Sequence, residues 1–355
     1  MYEFSFPTKV IFGVGVAKNI GKQIHKFCPK LPSPLMIVTV KEKWNEEFIE
    51  KIKVNLIKTG CKKVDIFRGV KSDPTRECIR EGIKFCKLSN SNGIIGVGGG
   101  SSMDTAKVIA KEAKVGFLLT IPTTAGTGGE ISPWAVITNE KTKEKESLVA
   151  KSPDIALLDP HLTVSMPPKI TFFTGVDAFS HALESYLSKS AFSLTDALSL
   201  KAIELIGENL LSAVRESNNL SIRGKMLEAS LLAGMAMLYS GLGLIHAIAH
   251  PIGGLYHNCG FAHGFIIAHL IQSVSEFNKS ANPGKYQKIK ETIERIKEII
   301  YRLFKELNIH KIEVKEEDIQ LLAKRSVNNV NALTNPRDFT LADIEDIIRS
   351  SFNVV

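Results

Sequence analysis

The spacing of apolar and polar positions divides the chain into two textures. Up to about residue 160, short apolar runs alternate with amphipathic stretches. Residues 35–40 (Leu-Met-Ile-Val-Thr-Val), 64–67, 93–97 and 117–121 are brief and β-rich and predict strands. Between them, 44–58, 74–87 and 102–112 repeat apolar residues at helical spacing. Gly60 is placed to stop the first of these helices; Asp73 would cap the second, with Pro74 in its first turn. Strand–helix alternation predicts a parallel sheet covered by helices. After Pro167-Pro168 only helical periodicity remains, at 175–188, 192–214, 222–240, 243–250, 262–277, 282–307, 316–329 and 342–352, with no further strand. The predicted organisation is an α/β N-terminal nucleotide-binding domain, 1–163, followed by an all-α C-terminal domain, 164–355.

Composition narrows this picture only slightly. The 355 residues suffice for two cores, and 44% hydrophobic with 23% charged residues is the balance of a soluble globular protein. The net charge of +8 is spread over Lys and Arg interleaved with Glu, so no basic arm for nucleic acid is expected, whereas a small anionic ligand such as a dinucleotide would be attracted. Five cysteines without a Cys-x-x-Cys pair predict a reducing, cytoplasmic setting. The N-terminus does not read as a signal peptide. The most apolar stretch, 231–250, contains Tyr239, Ser240, two histidines and several glycines, which favours a buried helix pair over a membrane span.

Candidate chemistry comes from four places. Asp177 and His181 stand four residues apart, on one face of a helix that begins near Thr174, among Phe173, Ala178 and Ala182. In such surroundings they must pair with each other or share a metal ion with ligands from elsewhere. Five of the nine histidines fall between His246 and His269, and His246 and His250 form a second pair at the same spacing on an apolar helix expected to end at Pro251 and Gly253. Imidazoles with a carboxylate are ordinary ligands of Zn²⁺ or Fe²⁺. Strand 93–97 runs into Gly98-Gly99-Gly100-Ser101 and then a helix, the layout of a phosphate site; Asp104 and Lys107 would lie on the surface or orient that turn. Strand 117–121 runs into Pro122-Thr123-Thr124-Ala-Gly-Thr127-Gly-Gly129-Glu130, whose hydroxyls and glycines suit a ribose, phosphate or carboxamide.

Taken together these motifs resemble the iron-containing (group III) alcohol dehydrogenase family. The residues carrying the resemblance are Gly98-Gly-Gly-Ser-x-x-Asp104-x-Ala-Lys107, Pro122-Thr-Thr-Ala-Gly-Thr127, Asp159-Pro160, Thr174-Gly-x-Asp177-Ala-x-x-His181-Ala-x-Glu184, His246-x-x-x-His250-Pro-x-Gly253, His263-Gly264 and Asn335-Pro336-Arg337. The resemblance implies the fold shared with dehydroquinate synthase, an active site between the two domains, and hydride transfer between NAD(P)(H) and a small alcohol or aldehyde. It implies Asp177, His181, His246 and His263 as ligands of Fe²⁺, with Zn²⁺ as the other candidate, and His250 in proton transfer. It also implies Gly98, Gly99, Gly100, Ser101, Asp104, Thr123, Thr124, Thr127 and Lys145 at the cofactor. Phe179, Leu242 and Phe261 are candidates for the pocket wall or the core.

The chain departs from the family pattern in three ways. Gly129 stands where Ser is usual. The segment between His250 and His263 is a few residues longer, which makes His257 the substitute for His263. Val40, followed by Lys41 and Lys43, stands where family members preferring NAD carry an Asp aimed at the ribose 2′-OH; loss of that carboxylate with gain of lysines predicts NADP(H) over NAD(H). The remaining alternatives are a glycerol-dehydrogenase-like polyol enzyme of the same fold, against which the presence of His181 argues, and a nucleotide-binding protein without catalysis. A homodimer is the default assembly.

Overall fold

The computed structural model describes residues 3–140, 142, 144–256 and 262–355, with the side chains of Lys43 and Trp44 excepted. Two compact units emerge. The first comprises Met1–Thr142, Glu146–Met166 and Asn218–Leu227; the second Lys143–Lys145, Pro167–Ser217 and Glu228–Val355.

The first unit is built on six parallel strands in the order β1-β8-β5-β4-β2-β3: β1 Lys9–Phe12, β2 Leu35–Val40, β3 Val64–Val70, β4 Gly93–Gly98, β5 Phe117–Pro122 and β8 Ile155–Leu158. Its helices are α1 Ile20–His25, α2 Lys43–Lys58, α3 Arg76–Leu88 and α4 Gly100–Glu112; β6 Trp134–Thr138 pairs separately with β7 Lys145–Val149. The strands β2, β4 and β5 read as unbroken apolar runs because both faces are covered. Leu35, Ile37, Ile95 and Leu119 pack with Ile20, Ile49 and Ile52 of α1 and α2 on one face. Met36, Val38, Ile94 and Leu118 pack with Ile79 and Ile109 of α3 and α4 on the other. From β2 the chain passes through α2 to β3 on one side; from neighbouring β4 it passes through α4 to β5 on the other. Their carboxyl ends therefore bracket a topological switch point, where open α/β sheets bind ligands.

The second unit is helical: α5 Pro168–Leu187, α6 Ser193–Arg215, α8 Leu244–Leu255, α9 His263–Asn278, α10 Pro283–Glu306, α11 Glu316–Val327 and α12 Leu341–Ser351, with α7 Leu220–Ser240 running from the first unit into the second. α5 packs on α6 and α9, and α8 on α9 and α11. Among the described residues no single helix is long and apolar enough to cross a membrane; α7 and α8 are bent by 101° to each other.

Several expectations need correction. The units are not separated by one cut near 163: Gly224 packs against Pro160, and wholly buried Arg223 lies with the first unit. α5 starts at Pro168, not near Thr174, because proline in a first turn lacks only a donor the helix does not use. α8 does not end at Pro251 but runs to Leu255, its far end held by burial of Ile252, Gly253 and Gly254, with Gly253 close to Ile266. α3 is capped by Thr75, which accepts from the Cys78 N–H, and not by Asp73. Two strand residues at Glu313–Val314 (β9) pair in parallel with Asn353–Val354 (β10) in the half expected to be free of strands. Such short segments carry too little pattern to read from sequence.

Candidate functional site

α5 is buried along almost its whole length, so the polar side chains on its inner face are desolvated. Asp177, His181 and Glu184 are each at most 5% exposed. At spacings of four and three they share one face. His246 projects from the first turn of α8 and is 1% exposed. The Asp177 Oδ1 atom lies 3.7 Å from His181 Nε2, 3.5 Å from His246 Nε2 and 3.9 Å from His263 Nε2. One ligand atom from each of Asp177, His181 and His246 falls within 4.8 Å of the others. The His181 and His246 rings stack with centroids 4.6 Å apart, and the His250 ring stands 5.2 Å from His263 and 6.1 Å from His246.

No hydrogen bond satisfies Asp177 Oδ1 or His246 Nε2, although both are buried. A desolvated carboxylate oxygen without a donor is costly. Ligand atoms held about 2.1 Å from a common tetrahedral ion would be about 3.4 Å apart, close to the separations seen. The donor set, one carboxylate and three imidazoles, therefore fits a divalent transition metal. Electrostatics agree. Burial alone would raise the Asp177 carboxyl, but the facing His181, His246 and His263 hold it well below its usual range. Burial opposes charge on His246, yet Glu184 and Asp177 lift it to about 9. Burial depresses His263 to about 3, and burial with the neighbouring His263, His246 and Lys145 keeps His250 well below the ordinary imidazole value. Beside His181, the cluster thus holds Asp177 as an anion, His246 drawn towards the cationic form by carboxylates, and His250 and His263 kept neutral.

His263 owes its place to the glycine after it. A Cβ on Gly264 would collide with the backbone carbonyl of Phe173, so only glycine lets the start of α9 lie against α5.

In the first unit the glycine turn is also a close approach. Gly98 sits at φ +145, a region that disfavours other residues, and a Cβ at Gly99 or Gly100 would stand 3.3 Å from Thr124 Cγ2 or 3.0 Å from Thr127 Cγ2. The Thr123 N–H donates to the Gly98 carbonyl at 3.0 Å, tying the two loops together. No side chain caps α4, whose first N–H groups have no intrahelical acceptor. A glycine turn leading into an uncapped helix start is a layout that can hold a phosphate. The Ser101 hydroxyl is spent on the Ser72 carbonyl, leaving its backbone as the donor.

Asp104 and Lys107 are not surface residues. Lys107 is fully buried and binds Asp104 Oδ1 at 3.0 Å and the Trp134 carbonyl at 2.8 Å, while Asp104 Oδ2 accepts the Val136 N–H. They brace α4 against β6.

The iron-containing alcohol dehydrogenase family model matches residues 7–160, and the C-terminal model of the Fe-containing alcohol dehydrogenase family matches residues 171–352. The chain belongs to the iron-containing alcohol dehydrogenase family. It is 33% identical to the NAD-dependent methanol dehydrogenase of Bacillus methanolicus over 99% of this chain and 100% of that protein. It is 32% identical to the 1,3-propanediol dehydrogenase of Citrobacter freundii over 99% of each. The solved structure of a 1,3-propanediol oxidoreductase superposes with a TM-score of 0.90 at 32% identity, covering 99% of this chain and 100% of that one. This alcohol dehydrogenase is accordingly an oxidoreductase acting on CH–OH groups with a metal ion and a nicotinamide cofactor.

The remaining expected residues of the dehydrogenase distribute as follows. Lys145 lies near enough to His250 and His263 to help keep both neutral, with Nζ 3.6 Å from where a Gly253 Cβ would be. Phe179 is wholly buried and belongs to the core. His257 and Phe261 lie outside the described residues. Two residues that contact the start of α8 had no role assigned from sequence. Glu184 Oε2 holds His246 Nδ1 at 2.5 Å, a partnership signalled only by its place on the Asp177–His181 face. Asn335 accepts the Leu244 N–H at the start of α8, a contact spanning 91 positions that no local pattern reveals.

Proposed function

We propose that this dehydrogenase interconverts a small primary alcohol and its aldehyde with NADP(H), and that Asp177, His181, His246 and His263 hold Fe²⁺. The observation that carries the reading is the convergence of two buried, unsatisfied ligand atoms, Asp177 Oδ1 and His246 Nε2, beside His181. When bound, the ion would supply Lewis-acid polarisation of the substrate oxygen, and a nicotinamide would supply the hydride acceptor or donor. The chain's own groups do the rest. The buried ligand face of α5 excludes water. His250, neutral and adjacent to the cluster, accepts the alcohol proton during oxidation and returns it during reduction. Gly98–Ser101 bind the pyrophosphate through backbone N–H groups, with Thr123, Thr124 and Thr127 toward the ribose and nicotinamide.

The preference for NADP(H) rests on the end of β2. Val40 closes that strand beside β4 and its glycine turn, and Lys41 follows, so no carboxylate stands at either position to repel a 2′-phosphate. The test of the whole reading is the His181→Ala variant. It should lose metal and turnover while retaining NADPH binding; retained metal and turnover would overturn the ligand set. The ratio of kcat/KM for NADP⁺ over NAD⁺ should exceed one, and a strong preference for NAD⁺ overturns that part. Elemental analysis after anaerobic purification distinguishes Fe²⁺ from Zn²⁺.

A further inference from the structure

α8 begins at a glycine over which two side chains close. Glu184 Oε1 accepts the Ile245 N–H at 2.6 Å, and Asn335 Oδ1 accepts the Leu244 N–H at 3.2 Å. A Cβ on Gly243 would stand 2.9 Å from that Glu184 oxygen and 3.0 Å from Asn335 Oδ1, so the two acceptors reach the helix end because residue 243 has no side chain. Asn335 is held by a reciprocal amide pair with Asn278, at 3.0 and 2.9 Å. The other Glu184 oxygen, Oε2, meets His246 Nδ1 at 2.5 Å. One carboxylate on α5 thus grips both the backbone and the imidazole of α8, and its own helix carries Asp177 and His181.

We propose that Glu184 is the positioning residue of the metal centre: it keeps the Nδ1 proton of His246 in place, so that Nε2, which faces Asp177 Oδ1, is the nitrogen that gives up its proton to a metal. This rests on the reading of Asp177, His181 and His246 as ligands. An imidazole offers a metal one lone pair, and the partner of the other nitrogen decides which. Glu184 is acceptor-only at both oxygens, so Nδ1 must donate to it. Its orientation is set independently by the Ile245 N–H, which fixes one oxygen on the backbone and turns the other to the ring. Glutamine of the same shape behaves differently. With its single oxygen on the Ile245 N–H, its NH₂ faces Nδ1, which must then accept, and the ring proton moves to Nε2, where it blocks ligation.

The experiment titrates Co²⁺ into metal-stripped wild type, Glu184→Gln and Asn335→Ala, with a competing chelator and the visible ligand-field spectrum as readouts, and records the thermal midpoint of each stripped protein. Glu184→Gln should bind Co²⁺ about 10–100-fold more weakly with an altered spectrum, at a midpoint near wild type. Asn335→Ala, which loses a backbone anchor of α8 without touching His246, should lower the midpoint and leave Co²⁺ affinity near wild type. The proposal is overturned if Glu184→Gln binds Co²⁺ as wild type does, or if both variants lose affinity in step with lost stability. Should Glu184→Gln not fold, ¹H–¹⁵N spectra of Zn²⁺-loaded wild type decide: a proton on His246 Nδ1 is expected, and one on Nε2 overturns the proposal. Wild type that takes up no Co²⁺ overturns the ligand reading itself and this inference with it.

Discussion

Glu130 shows how far a single position can be read. It closes the Thr123–Thr127 loop in the sequence and has no evident task there. In the fold it is 1% exposed, with Oε1 unsatisfied, and burial lifts its carboxyl from 4.5 to about 7 against the pull of its own backbone N–H and of Lys107. The native state therefore keeps a proton that the unfolded chain releases above pH 4.5. Stability is full below that value and falls as pH rises to about 7, by roughly 3 kcal/mol. In Glu130→Gln this loss should be absent. The difference in urea midpoint between variant and wild type should grow in the variant's favour from pH 4.5 to 8, and a difference that stays flat across that range contradicts the buried acid. The candidate ligands were more legible than Glu130. Asp177 with His181 and His246 with His250 are polar pairs at helical spacing in apolar stretches, a combination that burial makes costly unless a partner exists, whereas His263 was reached only through the family resemblance.

At the scale of elements, the helices that carry the site depend on glycines where backbones meet. His263-Gly264 is conspicuous as a motif, but the reason for the glycine is the Phe173 carbonyl of α5, on which α9 rests. Replacing Gly264 with Ala should force α9 away at a cost of about 1–3 kcal/mol and move His263 off the Asp177 carboxylate. The expected result is a lower denaturation midpoint together with reduced metal content in the purified protein; a variant with wild-type values of both shows that α9 does not need this close approach. The ends of α5 and α8 differ from their sequence readings for a related reason. Proline and glycine mark probable boundaries only while nothing else competes, and here a first-turn proline and a buried helix end override them.

For the whole molecule, the helical unit gathers buried Asp177, His181, His246 and Glu184 with partly exposed His263, an arrangement that a bound cation would stabilise and its removal weaken. Anything that binds only the native state adds RT ln(1 + [L]/Kd), about 2.7 kcal/mol at a hundredfold excess over Kd. Stripping the metal with a chelator should lower the thermal midpoint, and adding back Fe²⁺ anaerobically or Co²⁺ should restore it. An unchanged midpoint after verified metal loss would show that the cluster is held by its own ion pairs. The division into units was only partly legible. Strand–helix alternation giving way to helices marked the change near Pro167, whereas the return of Asn218–Leu227 to the first unit depends on Gly224 lying against Pro160.

The local pattern of this chain determined its alternating strands and helices, the glycine turn at the end of β4, and the pairs of polar residues at helical spacing that announced a metal. These are short-range properties, set by backbone sterics and by the period of side chains along an element. Tertiary structure alone decided which imidazole nitrogen faces Asp177, that Glu184 and Asn335 close over the start of α8, that Lys107 is buried against Asp104 and the Trp134 carbonyl, and that strand β2 pairs with β4. Each of these depends on groups far apart in sequence coming within a hydrogen bond of one another, and the periodicity of one segment holds no record of what the next will be packed against.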